Sequence, residues 1–317
     1  MSAILEAKNL KKYFKVPSGY LHAVDDVSFS INRGETLGVV GESGCGKSTL
    51  GRLLLRLIEL DSGQVIYEGQ DIIAQDAKHM HQMRQRMQMI FQDPFSSLDP
   101  RMSVYETIAE PLKIYGLTQS GAEMRERVEA MMDTVGLSKR FASSYPHELD
   151  GGRRQRIGIA RALILNPGFI VCDEPVSALD VSIQAQILNL MQDLKQEKGL
   201  TYLFITHDLS VVKHISESIC VMYLGKIVET CPTKALFQNP IHPYTQALLS
   251  AIPIPDIRVK RERILLRGEL SSPINPRPGC RFAPRCRFAT ERCREADPEL
   301  REVESGHFVA CHMCGNE

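Results

Sequence analysis

The 317-residue sequence has no surplus of charge of either sign, since 38 Lys and Arg balance 38 Asp and Glu. A chain living on bulk nucleic-acid binding would be basic, so the balance weighs against that role. It also lacks any apolar run near the roughly 20 residues that span a bilayer. Its longest are short pieces such as Thr36–Val40 and Tyr202–Ile205. The opening stretch MSAILEAKNLKKYFK lacks the basic-then-apolar design of a secretion signal. A cytosolic protein is expected, with any membrane contact made through a partner. There is no internal repeat and no low-complexity tract. Nine cysteines would mean disulfides in a small secreted domain. In a large chain without a signal they point to buried thiols or metal ligands.

What is present falls into stretches. The length suits one large α/β domain with an appendage, or two domains. Residues 1 to about 93 alternate β-like runs with turns, as in Leu21–Ile31 and Leu37–Val40. Residues 94–160 read as mostly helical and polar, opened by the turn pairs Asp93-Pro94 and Asp99-Pro100. Residues 161–235 alternate again. Gly168–Cys172 reads as a buried parallel strand, and so does Tyr202–Ile205. Between them Ile183, Ile187, Leu190, Met191 and Leu194 share one helical face, and Gly199 supplies a stop. Strand, helix, strand in that order argues for a βαβ unit and a parallel sheet. Past residue 236 the composition shifts. Pro253, Pro255, Pro273, Pro276 and Pro278 exclude a continuous helix or central strand between Ile252 and Pro278.

Gly41-Glu42-Ser43-Gly44-Cys45-Gly46-Lys47-Ser48-Thr49 fits G-x-x-x-x-G-K-[ST], after an apolar strand and before the helical run Leu50–Ile58. Glycines let the backbone wrap so that its N–H groups aim at phosphate oxygens, and the helix start adds partial positive charge. Lys47 would bring a cation to the outer phosphates and Ser48 a hydroxyl to Mg²⁺. Phe169-Ile170-Val171-Cys172-Asp173-Glu174 is an apolar strand ending in two carboxylates, where ligands bind in parallel sheets. Asp173 suits a second Mg²⁺ contact and Glu174 a general base for the attacking water. His207, after the second strand, could sense a γ-phosphate. Gln92 could touch Mg²⁺ or the water.

The series GESGCGKST, FQDP, LDGGRRQR, IVCDEP, SALD and ITHD resembles the nucleotide-binding subunit of ABC transporters over nearly the whole chain. The resemblance implies an α/β fold: a phosphate-loop NTPase core with a mostly parallel sheet (1–93 and 161–235), an antiparallel β subdomain and a helical subdomain (94–160). It implies ATP hydrolysis by subunits paired head to tail, each ATP touching the loop of one and the signature of the other. Phe14, with Tyr13 second, matches the adenine-stacking aromatic. Ser177 to Asp180 matches the loop that communicates across the dimer. The helical region would dock on a permease. The signature departs from the family's LSGGQ: here it is Leu149-Asp150-Gly151-Gly152-Arg153. Asp150 would repel the partner's phosphate unless paired, and Arg153 and Arg154 are near enough to neutralise it. Asp is also a good helix N-cap, so the local fold should survive. A weakened signature in a heterodimer with a second, different ATPase is the sharper reading.

The tail carries Cys280, Cys286, Cys293 and Cys311, with Cys314 beyond, at spacings of five, six and seventeen intervening residues between the first four. These do not match the short spacing of common zinc sites, and four thiolates would equally suit a [4Fe–4S] cluster. Cys45, Cys172, Cys220 and Cys231 read as packing residues. With Asn239-Pro240-Ile241-His242-Pro243-Tyr244-Thr245, the tail (236–317) resembles the C-terminal extension of oligopeptide and dipeptide importer ATPases. That likeness implies peptide or nickel import at the cytoplasmic face of the membrane. It implies two permeases, an extracellular solute-binding protein, and an iron–sulfur cluster on those four cysteines, with zinc the alternative. A soluble ABC-type ATPase on DNA or ribosomes, or an iron–sulfur redox sensor, are the competing readings.

Overall fold

Alternating apolar residues and two tight turns set the start of the chain. In the computed structural model, which describes residues 3–252, 263–266, 268 and 272–314, β1 (Ala3–Val16) and β2 (Gly19–Asn32) form a long antiparallel hairpin. β1 buries Ile4, Leu5, Ala7 and Leu10 on its way. The apolar run Thr36–Val40 is β3, buried at every residue. It leads through the glycine-rich turn into α1 (Lys47–Leu54), shorter than the run to Ile58 that the sequence suggests. β4 (Ser62–Tyr67) and β5 (Gln70–Asp71) complete a four-stranded antiparallel sheet in the order β2-β1-β4-β5. This is the expected antiparallel β layer.

The chain divides into two compact units, Met1–Ile73 with Thr206–Glu317, and Ala74–Ile205. The second unit opens with α2 (Ala77–Arg86), β6 (Met87–Ile90) and the short α3 (Pro94–Ser97). Helices α4 (Val104–Ile114), α5 (Gly121–Thr134) and α6 (Gly151–Leu163) follow. Ser103 and Glu106 close α4 with a capping box, and Asp150 caps α6. β7 (Phe169–Asp173), α7 (Val181–Lys198) and β8 (Thr201–Thr206) form the expected strand–helix–strand unit. β6, β7 and β8 pair in parallel. Gly199 ends α7 at φ 63°, a left-handed conformation that glycine adopts without cost. The buried face of α7 is Ile187, Leu188, Met191 and Leu194. Ile183 and Leu190 lie at its margin, half-buried.

The first unit resumes with α8 (Leu209–Ile215), β9 (Ser218–Tyr223), β10 (Lys226–Pro232), α9 (Thr233–Gln238) and α10 (Pro243–Ser250). It ends in α11 (Arg292–Glu295), β11 (Arg301–Glu304) and β12 (His307–Val309). Here β3 pairs with β9 in parallel, but β9, β10, β12 and β11 run antiparallel to one another in that order. The sheet is therefore mixed in this unit, where the sequence suggests a mostly parallel one. The short β9–β10 turn, with Leu224 and Gly225 at positive φ, makes a hairpin, and hairpin neighbours must be antiparallel. Around it a core gathers Val40, Leu209, Val212, Tyr223, Leu236, Tyr244 and Phe282. The tail is thus packed on β9 and β10. Pro273, Pro276 and Pro278 lie in irregular chain as expected, while Pro253 and Pro255 fall outside the described residues.

Candidate active site

The loop Gly41–Thr49 links β3 to α1, as a phosphate loop requires. Gly46 occupies the N-cap of α1 at φ 104°, and a Cβ there would lie 1.9 Å from the Ala23 carbonyl oxygen. Only glycine fits that position. A Cβ on Gly41 would lie 2.2 Å from the Met222 carbonyl oxygen, so the loop hugs the end of β9. Lys47 is buried, and its Nζ donates to the carbonyls of Gly41 (2.8 Å) and Glu42 (3.0 Å). The ammonium is thereby held over the loop. Ser43 and Gly44 face solvent, and Ser48 and Thr49 are half-buried. The Cys45 thiol is buried, which pushes it up against the nearby pull of Lys47.

On the hairpin, Tyr13 and Phe14 sit near the turn. Phe14 is 37% exposed, with the Lys12 ammonium 5.5 Å from its ring centre. The Tyr13 ring stacks on His22 at 3.9 Å, and its hydroxyl donates to Asp25 at 2.5 Å. Burial, and then the bond to Asp25, push the Tyr13 phenol up. Burial alone would raise the Asp25 carboxyl as well. The bonds from Tyr13 and His22 and the Arg281 guanidinium outweigh it and hold Asp25 below the usual carboxylate range. His207 is exposed in the turn between β8 and α8, next to Asp208, which caps α8.

In the second unit, Asp173 ends β7 fully inside, and Glu174 follows it, also buried. Glu174 has φ 45°, a left-handed backbone that a non-glycine residue adopts at a cost of about 1–3 kcal/mol. It is pinned there: its N–H donates to the Ile205 carbonyl at 2.9 Å. The Gln92 amide donates to its carboxylate at 2.9 Å. The Ser177 hydroxyl bonds its carbonyl at 3.1 Å. Gln92, Glu174 and Ser177 are therefore brought together. Strain held by such contacts aims the carboxylate at one place.

The signature stretch starts α6. Leu149 is buried. Asp150 accepts the Arg153 N–H at 2.8 Å and pairs with its guanidinium at 2.5 Å on an exposed surface. Arg154 turns inward instead, donating to the Pro146 carbonyl at 2.5 Å. A Cβ on Gly152 would lie 2.7 Å from Ile183, and one on Gly151 3.1 Å from Leu179. The glycines thus admit the loop that holds Ser177 and Asp180, where Asp180 caps α7.

The tail cysteines converge in part. Cys280, Cys286 and Cys293 line one cavity of about 740 Å³. Burial lifts the Cys280 thiol to about 11, and the charges of Cys293 and Cys311 reach it too. Cys286 is likewise raised by burial and by Cys311 and Cys293. The Cys314 N–H donates to the Cys311 carbonyl at 3.4 Å, and the closeness of the two thiols holds Cys311 below the usual thiol range while Cys314 is raised. As a donor set four thiols suit iron or zinc. Among the described residues, however, no group of three or more His, Cys, Asp or Glu side chains is arranged to hold a metal ion. Cys45, Cys172, Cys220 and Cys231 are all buried, as packing residues would be.

The sequence matches the ABC transporter family over residues 24–177. It matches the oligopeptide/dipeptide transporter C-terminal region over residues 228–293. The oligopeptide transport ATP-binding protein AppF of Bacillus subtilis is 54% identical over 320 residues, covering 98% of this chain and 97% of that protein. This chain belongs to the ABC transporter ATP-binding proteins. It is an ATPase of that family, and Mg-ATP is its expected ligand. The dimeric post-hydrolysis structure of the cassette MJ0796 bound to ADP and Pi aligns with a TM-score of 0.67 at 30% identity, covering 72% of this chain and 98% of that one. CbiO1 from Clostridium perfringens, part of the ABC transporter complex cbiONQ, aligns with a TM-score of 0.66 at 26% identity, covering 75% and 92%. No described helix is long and apolar enough to cross a membrane. Around this ABC ATPase site the sequence reading missed Asp25, His22, Glu42, Tyr244, Arg281 and Arg285. The His22–Asp25 contact is local to the hairpin, but Tyr244 and Arg285 reach Glu42, and Arg281 reaches Asp25, across more than 200 positions that no local pattern encodes. The sequence cues were the place of Glu42 inside Gly41–Thr49, of Tyr244 inside Asn239–Thr245, and of arginine beside cysteine in Cys280-Arg281 and Arg285-Cys286.

Proposed function

We propose that this ABC ATPase powers the import of di- or oligopeptides. The match of residues 228–293 to the oligopeptide/dipeptide transporter C-terminal region carries this reading, and the name of AppF supports it. The loop Gly41–Thr49 takes the triphosphate through its N–H groups, with Lys47 on the outer phosphates. Ser48, Asp173 and Gln92 offer the hard oxygen donors that Mg²⁺ prefers. Phe14, or else Tyr13, stacks on adenine. Glu174 orients and polarises the attacking water, and His207 senses the γ-phosphate. Catalysis of this kind is positioning and charge neutralisation rather than covalent chemistry by the protein.

Two cassettes pair head to tail in this reading, so that Leu149–Arg153 and Ser177–Asp180 complete the partner's site. The Asp150–Arg153 ion pair supports a signature whose negative charge is cancelled before it meets a nucleotide. A second, different ATPase is the favoured partner. Two permeases, an extracellular solute-binding protein and a peripheral place on the cytoplasmic membrane face complete the assembly. The core comprises 1–93 and 161–235, the helical docking part 94–160 and the extension 236–317. For the tail we propose a [4Fe–4S] cluster on Cys280, Cys286, Cys293 and Cys311; the single cavity lined by the first three supports it. Iron and acid-labile sulfide in anaerobically purified protein are expected; zinc, or neither, overturns that part.

The direct test is uptake. Vesicles holding the permeases and both ATPases should accumulate labelled peptide only with ATP, and Lys47→Ala should abolish it. ATP-dependent uptake of nickel with no peptide uptake would replace the substrate.

A further inference from the structure

Glu42 lies second in the phosphate loop, at a position where the G-x-x-x-x-G-K-[ST] pattern accepts any residue. In this protein all its polar groups are engaged. Its carbonyl is one of two that receive the Lys47 ammonium, at 3.0 Å. Its N–H donates to the Tyr244 hydroxyl at 2.8 Å. Its carboxylate receives Arg285 Nη1 at 2.8 Å. Tyr244 and Arg285 both belong to the C-terminal segment, more than 200 positions along the chain.

The grip is built to be stiff. Tyr244 is fully buried, and its ring packs against Tyr223 at 4.7 Å and Phe282 at 5.5 Å. Phe282 is buried inside the turn Cys280–Cys286, which is closed by Ala283 N–H to the Cys280 carbonyl and Cys286 N–H to the Phe282 carbonyl, both at 3.0 Å. Arg285 stands on that turn with 10% of its side chain exposed, against 27% for Glu42. A charge-assisted bond so shielded from water is stronger than an exposed surface pair. The other end of the turn is tied down too, with Arg281 donating to Asp25 and to the Leu224 carbonyl.

We propose that Arg285 is a positioning residue for ATP binding: through Glu42 it fixes the peptide whose carbonyl holds Lys47, so the conformation of the Cys280–Cys286 turn sets how well the loop receives a triphosphate. This rests on the loop Gly41–Thr49 being the triphosphate site. A tail that loosens would let the Glu42 peptide rotate, and the ammonium would lose one of its two carbonyl partners. ATP affinity falls first in that case, while the chemistry at Glu174 changes little.

The test uses the full chain, with N-methylanthraniloyl-ATP as probe for Kd and steady-state ATPase for KM and kcat. Arg285→Ala and Glu42→Gln should each raise Kd and KM for ATP roughly three- to tenfold, with kcat within about twofold. Arg285→Lys should recover part of the loss, because it keeps the cation but loses the planar fork. The double variant should be no worse than either single one, since both cut the same contact. Thermal melting identifies a variant that fails to fold, and Arg285→Lys with Glu42→Gln then carries the decision. Unchanged Kd in Arg285→Ala, additive losses in the double variant, or a fall in kcat at unchanged KM would each overturn the proposal. Failure of the unmodified chain to bind the probe would instead remove the nucleotide site itself.

Discussion

The phosphate loop and the cysteine turn sit in one compact unit and meet at Glu42, yet they are shaped by opposite means. The loop follows from its own sequence. Gly46 takes a backbone that side chains avoid, Lys47 folds back on the carbonyls of Gly41 and Glu42, and α1 begins at once. The Cys280–Cys286 turn has little regular structure of its own. It owes its shape to Phe282 in the core and to two arginines anchored on distant partners. A short motif can carry a binding loop, whereas a tail that must sense or brace that loop needs long-range contacts.

Three perturbations sharpen that contrast, the largest first. Lys47→Ala removes the cation the loop is built around, and ATPase turnover should fall by about 100-fold or more, as when other preorganised charges are removed from a reacting group. Initial rates at saturating Mg-ATP check it; turnover within a few-fold of normal would detach the loop from the chemistry. Gly46→Ala forces a Cβ to within 1.9 Å of the Ala23 carbonyl at φ 104°. It should lower stability by at least about 1–3 kcal/mol. Gly44→Ala, with open space around its Cβ, should cost only about 1 kcal/mol. Equal denaturation midpoints for the two would show that the loop is looser than described.

The smallest effect lies on the tail side. Burial holds the His242 imidazole down to about 3, below its ordinary 6.5. Its Nδ1 accepts the Tyr244 N–H at 3.1 Å, and the Glu229 carboxylate accepts its backbone N–H at 3.1 Å. The folded state therefore refuses a proton that the unfolded chain takes up. Nothing is lost above the unfolded value near 6.5, and stability falls as pH drops from there towards about 3. Between pH 7 and 5.5 the loss should be about 1 kcal/mol. His242→Asn keeps a capping acceptor without the titration, so its melting temperature should fall less over that range. Parallel curves for both proteins would contradict this.

Much of the site was legible because its chemistry is local. Gly41–Thr49, the strand ending in Asp173-Glu174, and the helix start at Asp150 are each read within about ten residues, and each lies on the expected kind of element. The left-handed backbone of Glu174 was not legible, because it is imposed by the bond to Ile205 from another strand. The antiparallel run of β9 to β12 was missed for a related reason, since a short strand reads alike whichever way its neighbours point. The pairing of Asp25 with Arg281 joins segments far apart in sequence, and that of Tyr13 with Asp25 depends on the register of the β1–β2 hairpin.

The central claim is that Glu174, strained and held by Gln92, prepares the water that cleaves ATP bound at Lys47. Single-turnover hydrolysis by Glu174→Gln tests it most directly. The account predicts ATP binding within a few-fold of the unmodified protein and hydrolysis slowed by about 100-fold or more. Hydrolysis at the unmodified rate, with ATP bound equally well, would contradict it.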